Sequence, residues 1–77
     1  MNIFVSNINY ATKDHQLQEL FEGYGEVSSA KIITDRDSGR SKGFGFVEMP
    51  HAREAIKAIK GLNTFKVKGA GIRVKAA

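Results

Sequence analysis

The sequence predicts an α+β fold: four antiparallel strands in one sheet with two helices on one of its faces, in the chain order β-α-β-β-α-β. Three observations predict it. Two segments carry apolar residues at helical spacing, Leu17, Leu20 and Phe21 in the first and Ala55, Ala58, Ile59 and Leu62 in the second. Four shorter segments rich in Ile, Val and Phe alternate their side chains with the period of two that a strand imposes. The link between the second and third of these, residues 35–41, is polar and contains glycine, which suits a projecting hairpin loop and hence an antiparallel pair.

Residues 2–6 open the chain as a strand, with Ile3 and Val5 on one face and Asn2, Phe4 and Ser6 on the other. Asn7 to Ala11 form a loop ending at Thr12, a good helix N-cap, and Asp14 then falls in the first turn, where a carboxylate complements the amide dipoles. The first helical stripe extends to Tyr24, and Gly23 and Gly25 close the helix. A second strand spans Val27 to Thr34, with Ala30 and Ile32 inward and Ser29, Lys31 and Ile33 outward. The third begins near Lys42, and Pro50, which has no N–H for a ladder, ends it. The second helix covers Ala52 to Leu62, with His51 a poor cap. Residues 64–68 form a stub strand or extended loop with Val67 inward, and Gly69-Ala70-Gly71 turns the chain into a last strand, Ile72 to Lys75, with Arg73 and Lys75 outward. The order is the split β-α-β, ferredoxin-like plan.

With both helices on one side, the covered face takes Ile3, Val5, Val27, Ala30, Ile32, Val47, Met49, Ile72 and Val74. The uncovered face takes Phe4, Lys31, Ile33, Lys42, Phe44, Phe46, Arg73 and Lys75. An open face of an antiparallel sheet is ordinarily polar. This one carries three aromatic rings among cations, so the rings either meet a covering element or await a ligand.

Seventy-seven residues make one small domain, 1–77, and an apolar fraction of 42% is ordinary for a packed chain. Cysteine is absent, which excludes a disulfide framework and thiolate chemistry. No apolar run approaches membrane-spanning length, and no secretory signal peptide is evident, so a cytoplasmic address is expected. The net charge of +4 is unevenly spread: residues 1–38 hold three basic against six acidic groups, and residues 39–77 hold nine against two. That asymmetry suits a surface facing a polyanion. His15 and His51 have no ligand spacing that suggests a metal, and no cofactor is implied. Thr12, Ser28, Ser29 and Ser41 have no base and orienting partner, so catalysis has no support. Gly43-Phe44-Gly45 runs on into strand instead of a helix, which excludes a phosphate loop or dinucleotide fingerprint.

Lys42-Gly43-Phe44-Gly45-Phe46-Val47-Glu48-Met49 resembles the octapeptide signature of the RNA recognition motif family, and Ile3-Phe4-Val5-Ser6-Asn7-Ile8 resembles its hexapeptide. The similarity spans nearly all of residues 2–76 and is strongest with small single-domain bacterial members of the cyanobacterial and chloroplast type. The resemblance implies single-stranded RNA binding without catalysis, with single-stranded DNA left open as a second ligand, and a monomer with at most weak self-association is expected. It places bases on Phe4 and Phe44, a sugar or base against Phe46, and a phosphate at Lys42. Arg73 and Lys75 then line the exit strand, with Lys31, Asn2, Arg40 and, peripherally, Tyr10 as further contacts. Met49 departs from the signature's final aromatic but points to the core, and residues 68–71 lack a turn arginine. The alternative is a protein-interaction domain that uses the same aromatic face for a peptide or a second subunit.

Overall fold

The computed structural model describes residues 1–67 and 69–77, with the backbone alone for Lys66, Val67 and Ala70. The inward placement expected of Val67 therefore lies outside the described side chains, and Lys68 outside the described residues. In chain order the elements are β1 (Asn2–Ser6), α1 (Asp14–Glu22), β2 (Ser29–Thr34), β3 (Ser41–Glu48), α2 (Ala52–Leu62), β4 (Lys66–Val67), β5 (Ala70–Gly71) and β6 (Arg73–Ala76). The main sheet has the order β2-β3-β1-β6 with every neighbouring pair antiparallel, and β4 and β5 form a small separate hairpin. This is the ferredoxin-like arrangement expected from the sequence.

Both helices cover one face because their apolar stripes have only that face to bury against. Leu17 and Phe21 from α1 and Ala55, Ala58 and Leu62 from α2 meet Ile3, Val5, Ile32, Val47, Met49, Ile72 and Val74, each at most 5% exposed. The small Ala55 and Ala58 allow α2 to sit close to the sheet. Gly45, in the middle of β3, is buried where the backbone of β2 passes against it.

Several boundaries differ from expectation, each for a local reason. Thr12 does not cap α1. Its N–H closes a turn onto the Asn9 carbonyl at 3.0 Å and its side chain is buried, so Lys13 takes the extended N-cap position. Gln16 Oε1 then accepts the Lys13 N–H at 2.8 Å, the reaching-back half of a capping box. Tyr24 lies beyond the helix, which stops at Glu22. Asp14 does more than complement the helix dipole: its Oδ1 accepts the Ile32 N–H of β2 at 2.8 Å. On the opposite outer strand, Asn63 Oδ1 accepts the Val74 N–H of β6 at 3.2 Å.

Strict alternation also fails in one place. From Ser29 to Ile32, β2 pairs with β3 in steady register, but Ile32 faces Gly45 while Thr34 faces Ser41. One residue of β2 therefore spans three of β3, Lys42 to Phe44, which is a bulge. Gly43, at φ 83°, supplies the left-handed conformation this needs. Its carbonyl accepts the Ile8 N–H at 2.8 Å, which ties the end of β1 to the bulge.

Candidate nucleic-acid interface

The uncovered face centres on Phe4, from an inner strand of the sheet. Its register partner on β3 is Phe46, and its partner on β6 is Lys75. Ring centroids lie 5.4 Å apart for Phe4 and Phe46, and 5.9 Å for Phe4 and Phe44, both tilted. These are ordinary distances for attractive ring pairs. The rings therefore hold one another upright while helices bury the other face. Phe46 remains 42% exposed, and Phe4 and Phe44 are half-buried. Their burial in a core, which the sequence alone left open, does not occur.

Cations border the rings. Lys75 Nζ sits 5.6 Å from the Phe4 centroid, a cation–π arrangement that leaves the ammonium at the rim of the platform. Lys31 is the register partner of Phe46 on β2, and Arg73 lies opposite Ser6 on β6. Asn2 is at the far end of β1, opposite Glu48. Glu48 forms no ion pair with Lys31; among the described residues the one such contact joins His51 Nε2 to Glu26 Oε1 at 3.3 Å, an ion pair only when the imidazole is protonated.

At the other end of β1 a groove of about 480 Å³ opens, lined by Phe4, Ser6, Asn7, Tyr10, Lys42 and Phe44 among others. Lys42 and Tyr10 thus join the rings, although the bulge removes the strict period-two reason for placing Lys42 beside Phe44. Arg40 is not in this groove; it belongs to the exposed β2–β3 loop. Ser6 and Asn7 were not singled out from the sequence. Ser6 shares the Phe4 face by simple alternation, which was signal enough. Asn7 is less legible: it adopts φ 57° and its Nδ2 donates to the Gly71 carbonyl at 2.8 Å, bracing the groove against the β4–β5 hairpin.

The loop beside the groove is ordered by its own acid. Asp35 Oδ1 accepts the Asp37 N–H at 2.9 Å and the Ser38 N–H at 3.0 Å. The Ser38 amide first, then the Asp37 amide and the nearby Lys42 charge, hold the Asp35 carboxyl below its ordinary value of 3.8. Among the described residues no three potential metal-ligating side chains cluster, and no helix is long and apolar enough to cross a membrane.

Comparison with known proteins matches this geometry to a family. The chain is 47% identical over 75 residues to the chloroplastic 31 kDa ribonucleoprotein of Nicotiana plumbaginifolia, an alignment of 97% of this chain and 26% of the relative. It thus spans about a quarter of the length of that protein. The crystal structure of RNA binding protein PG1 superposes with a TM-score of 0.96 at 47% identity, over 100% of this chain and 93% of that one. A Sxl-lethal protein/RNA complex superposes with a TM-score of 0.94 at 29% identity, over 99% of this chain and 46% of that one.

The 31 kDa ribonucleoprotein and two further relatives, from Nicotiana sylvestris and Arabidopsis thaliana, are all named chloroplastic, which overturns the cytoplasmic address expected from the sequence. The physical reason is that organelle targeting relies on Arg- and Ser-rich amphipathic segments, to which a search for apolar runs is blind. These three are plant proteins, so the bacterial kinship has no support from them either. A family model described as RNA recognition motif matches residues 3–73, nearly the whole chain with both aromatic strands inside it, and the chain belongs to that family.

Proposed function

We propose that residues 1–77 act as one unit that binds single-stranded RNA on the open face of the sheet. Bases stack on Phe4, Phe44 and Phe46, and Lys31, Lys42, Arg73 and Lys75 meet the phosphates. The observation that carries this reading is the trio of rings on the face the helices leave uncovered, with centroids 5.4 and 5.9 Å apart and a lysine over the central ring. Every base has a π-face, so such rings accept any sequence at roughly 1–3 kcal/mol per stacked base, while cations hold the backbone. The likeness to an RNA-bound relative of the same family supports it further. Members of the family are in general binding modules, and we propose no catalytic step for this one.

Titration of fluorescent single-stranded RNA tests the proposal. Replacing two stacking rings, Phe4→Ala with Phe44→Ala, should weaken binding by about 2–6 kcal/mol, and circular dichroism should show the sheet intact. Unchanged affinity in a folded double variant sinks the stacking platform. Parallel titration with DNA of the same sequence reads the contribution of the 2′-hydroxyl, which the rings by themselves do not sense.

A further inference from the structure

A polyanion on the ring platform accounts for the basic half of the chain's charge asymmetry and leaves the acidic half unused. Much of that acid lies on the helices. On α1, His15, Glu19 and Glu22 follow one another at spacings of four and three, so they line one stripe. On α2, Arg53, Lys57 and Lys60 repeat the same spacings. All six are exposed, on the sides of the helices opposite the buried Leu17 and Phe21 and the buried Ala55, Ala58 and Leu62. The outer surface of the helix layer thus carries an acidic stripe beside a basic one, on the side of the sheet away from the rings.

The two helices adjoin through the chain that follows α1. Glu54 Oε1 of α2 accepts the Glu26 N–H at 3.0 Å, and the Tyr24 ring lies against Gly61 of α2, where any side chain would collide with it. Glycine weakens a helix relative to alanine; here its bare backbone seats an aromatic ring. Tyr24 remains 36% exposed at this seam, and Ile56, one turn from Arg53 and Lys60, is 44% exposed. The stripes do not neutralise one another within the molecule. Among the described residues Glu22 accepts the Gln18 amide at 3.2 Å, while Glu19, Arg53, Lys57 and Lys60 have no hydrogen bond or ion pair.

We propose that the helix layer is a self-association surface and that its occupant is a second copy of this chain. A two-fold axis passing between the helices sets α1 of each copy over α2 of the other. The acidic stripe then meets the basic one twice, because a two-fold interface repeats every contact. Tyr24 lies near the axis and Ile56 on its flank, an aromatic and an aliphatic contact between the charged rows. Charge complementarity fixes the pairing and disfavours α1 over α1 or α2 over α2, where like charges meet. The ring platforms stay open on the two outer sides. Copies that share one RNA are tethered at an effective concentration of about millimolar, enough for even weak pairing to make their binding cooperative. That consequence rests on the RNA-binding reading of the sheet; the association itself does not.

Sedimentation equilibrium without RNA tests the association, at about 20 mM and about 500 mM salt, between which the screening length falls from roughly 20 Å to roughly 4 Å. Wild type should self-associate at low salt with a dissociation constant on the order of 0.1–1 mM, since exposed ion pairs are individually weak, and about tenfold more weakly at high salt. Amide resonances of Glu19, Tyr24, Ile56 and Lys57 should shift with protein concentration while those of Phe4 and Phe46 hold. Reversing one stripe, by Glu19→Lys with Glu22→Lys or by Lys57→Glu with Lys60→Glu, should weaken self-association about tenfold with an unchanged circular dichroism spectrum. Mixing those two variants should restore association, and so should all four changes in one chain, which leave the net charge at +4. Phe4→Ala with Phe44→Ala should associate as wild type does. Wild type that stays monomeric at millimolar concentration and low salt overturns the proposal, and the stripes then belong to a different protein partner. Failure of both the mixture and the fourfold variant to associate overturns it as well. Loss of association in the phenylalanine variant moves the contact to the ring face and has the same effect. None of these outcomes touches the RNA-binding reading, which the RNA titration decides separately.

Discussion

Gly45→Ala adds one methyl group to the sheet and touches none of the rings. Gly45 is buried in β3 between Val5 of β1 and Ile32 of β2. A Cβ there strikes the Lys31 carbonyl oxygen and comes within 2.9 Å of Ile32 Cα. Both are backbone atoms of the neighbouring strand, so no side-chain rotation relieves the clash and β2 itself must shift. Overpacking of this kind costs about 1–3 kcal/mol, while the stiffer unfolded chain returns roughly 0.4–1 kcal/mol. The net loss is on the order of 1–2 kcal/mol against the roughly 4–12 kcal/mol that a chain of this length has to spare. For so small a domain it lowers the melting temperature by about 4–16 °C. Thermal unfolding by circular dichroism reads the first effect. RNA titration well below the transition reads the second, a loss of affinity in a folded protein as Lys31 moves away from its partner Phe46. A variant that melts and binds like wild type would refute the close-approach argument and the dependence of the platform on the β2–β3 spacing.

Lys75→Ala should weaken RNA binding and reduce the slope of log affinity against log salt by about 0.7, the share of one phosphate contact on a single strand. A slope measured over several salt concentrations that does not change would assign Lys75 to ring packing alone. Asp35 gives a pH dependence: its carboxyl is held below 3.8 in the folded chain, first by the Ser38 amide and then by that of Asp37. A depressed carboxylate favours the folded loop above the ordinary value and loses that contribution as pH falls through the folded one. The Asp37 and Ser38 amide resonances should therefore keep their positions down to about pH 4 and shift only at lower pH. Movement at higher pH would contradict the assignment.

The sequence showed most clearly whatever depends on a single period. The helix at Ala52–Leu62 is where its stripe placed it, and Phe4, Phe44 and Phe46 share the open face because strands count by two. What it hid depends on two segments at once. The bulge at Lys42–Phe44 exists only relative to the register of β2, and nothing in Lys-Gly-Phe alone announces it. Thr12 illustrates the same limit. As a residue type it is a good cap, yet the turn onto Asn9 buries it, and Lys13 with Gln16 opens the helix instead. Its hydroxyl ends up buried and without a partner among the described residues, which no single stretch of sequence announces.

One feature of the outer strands bears on how this protein lives among other proteins. Asp14 occupies an amide of β2, Asn63 occupies one of β6, and those same strands carry Lys31, Arg73 and Lys75. Charged residues along an edge and side chains seated on its amides discourage a foreign strand from adding to the sheet. The molecule can thus be adhesive on its flat face and inert along its rims. The cations proposed to meet phosphates are the same ones that charge these outer strands, so one set of lysines and arginines would serve both recognition and dispersal.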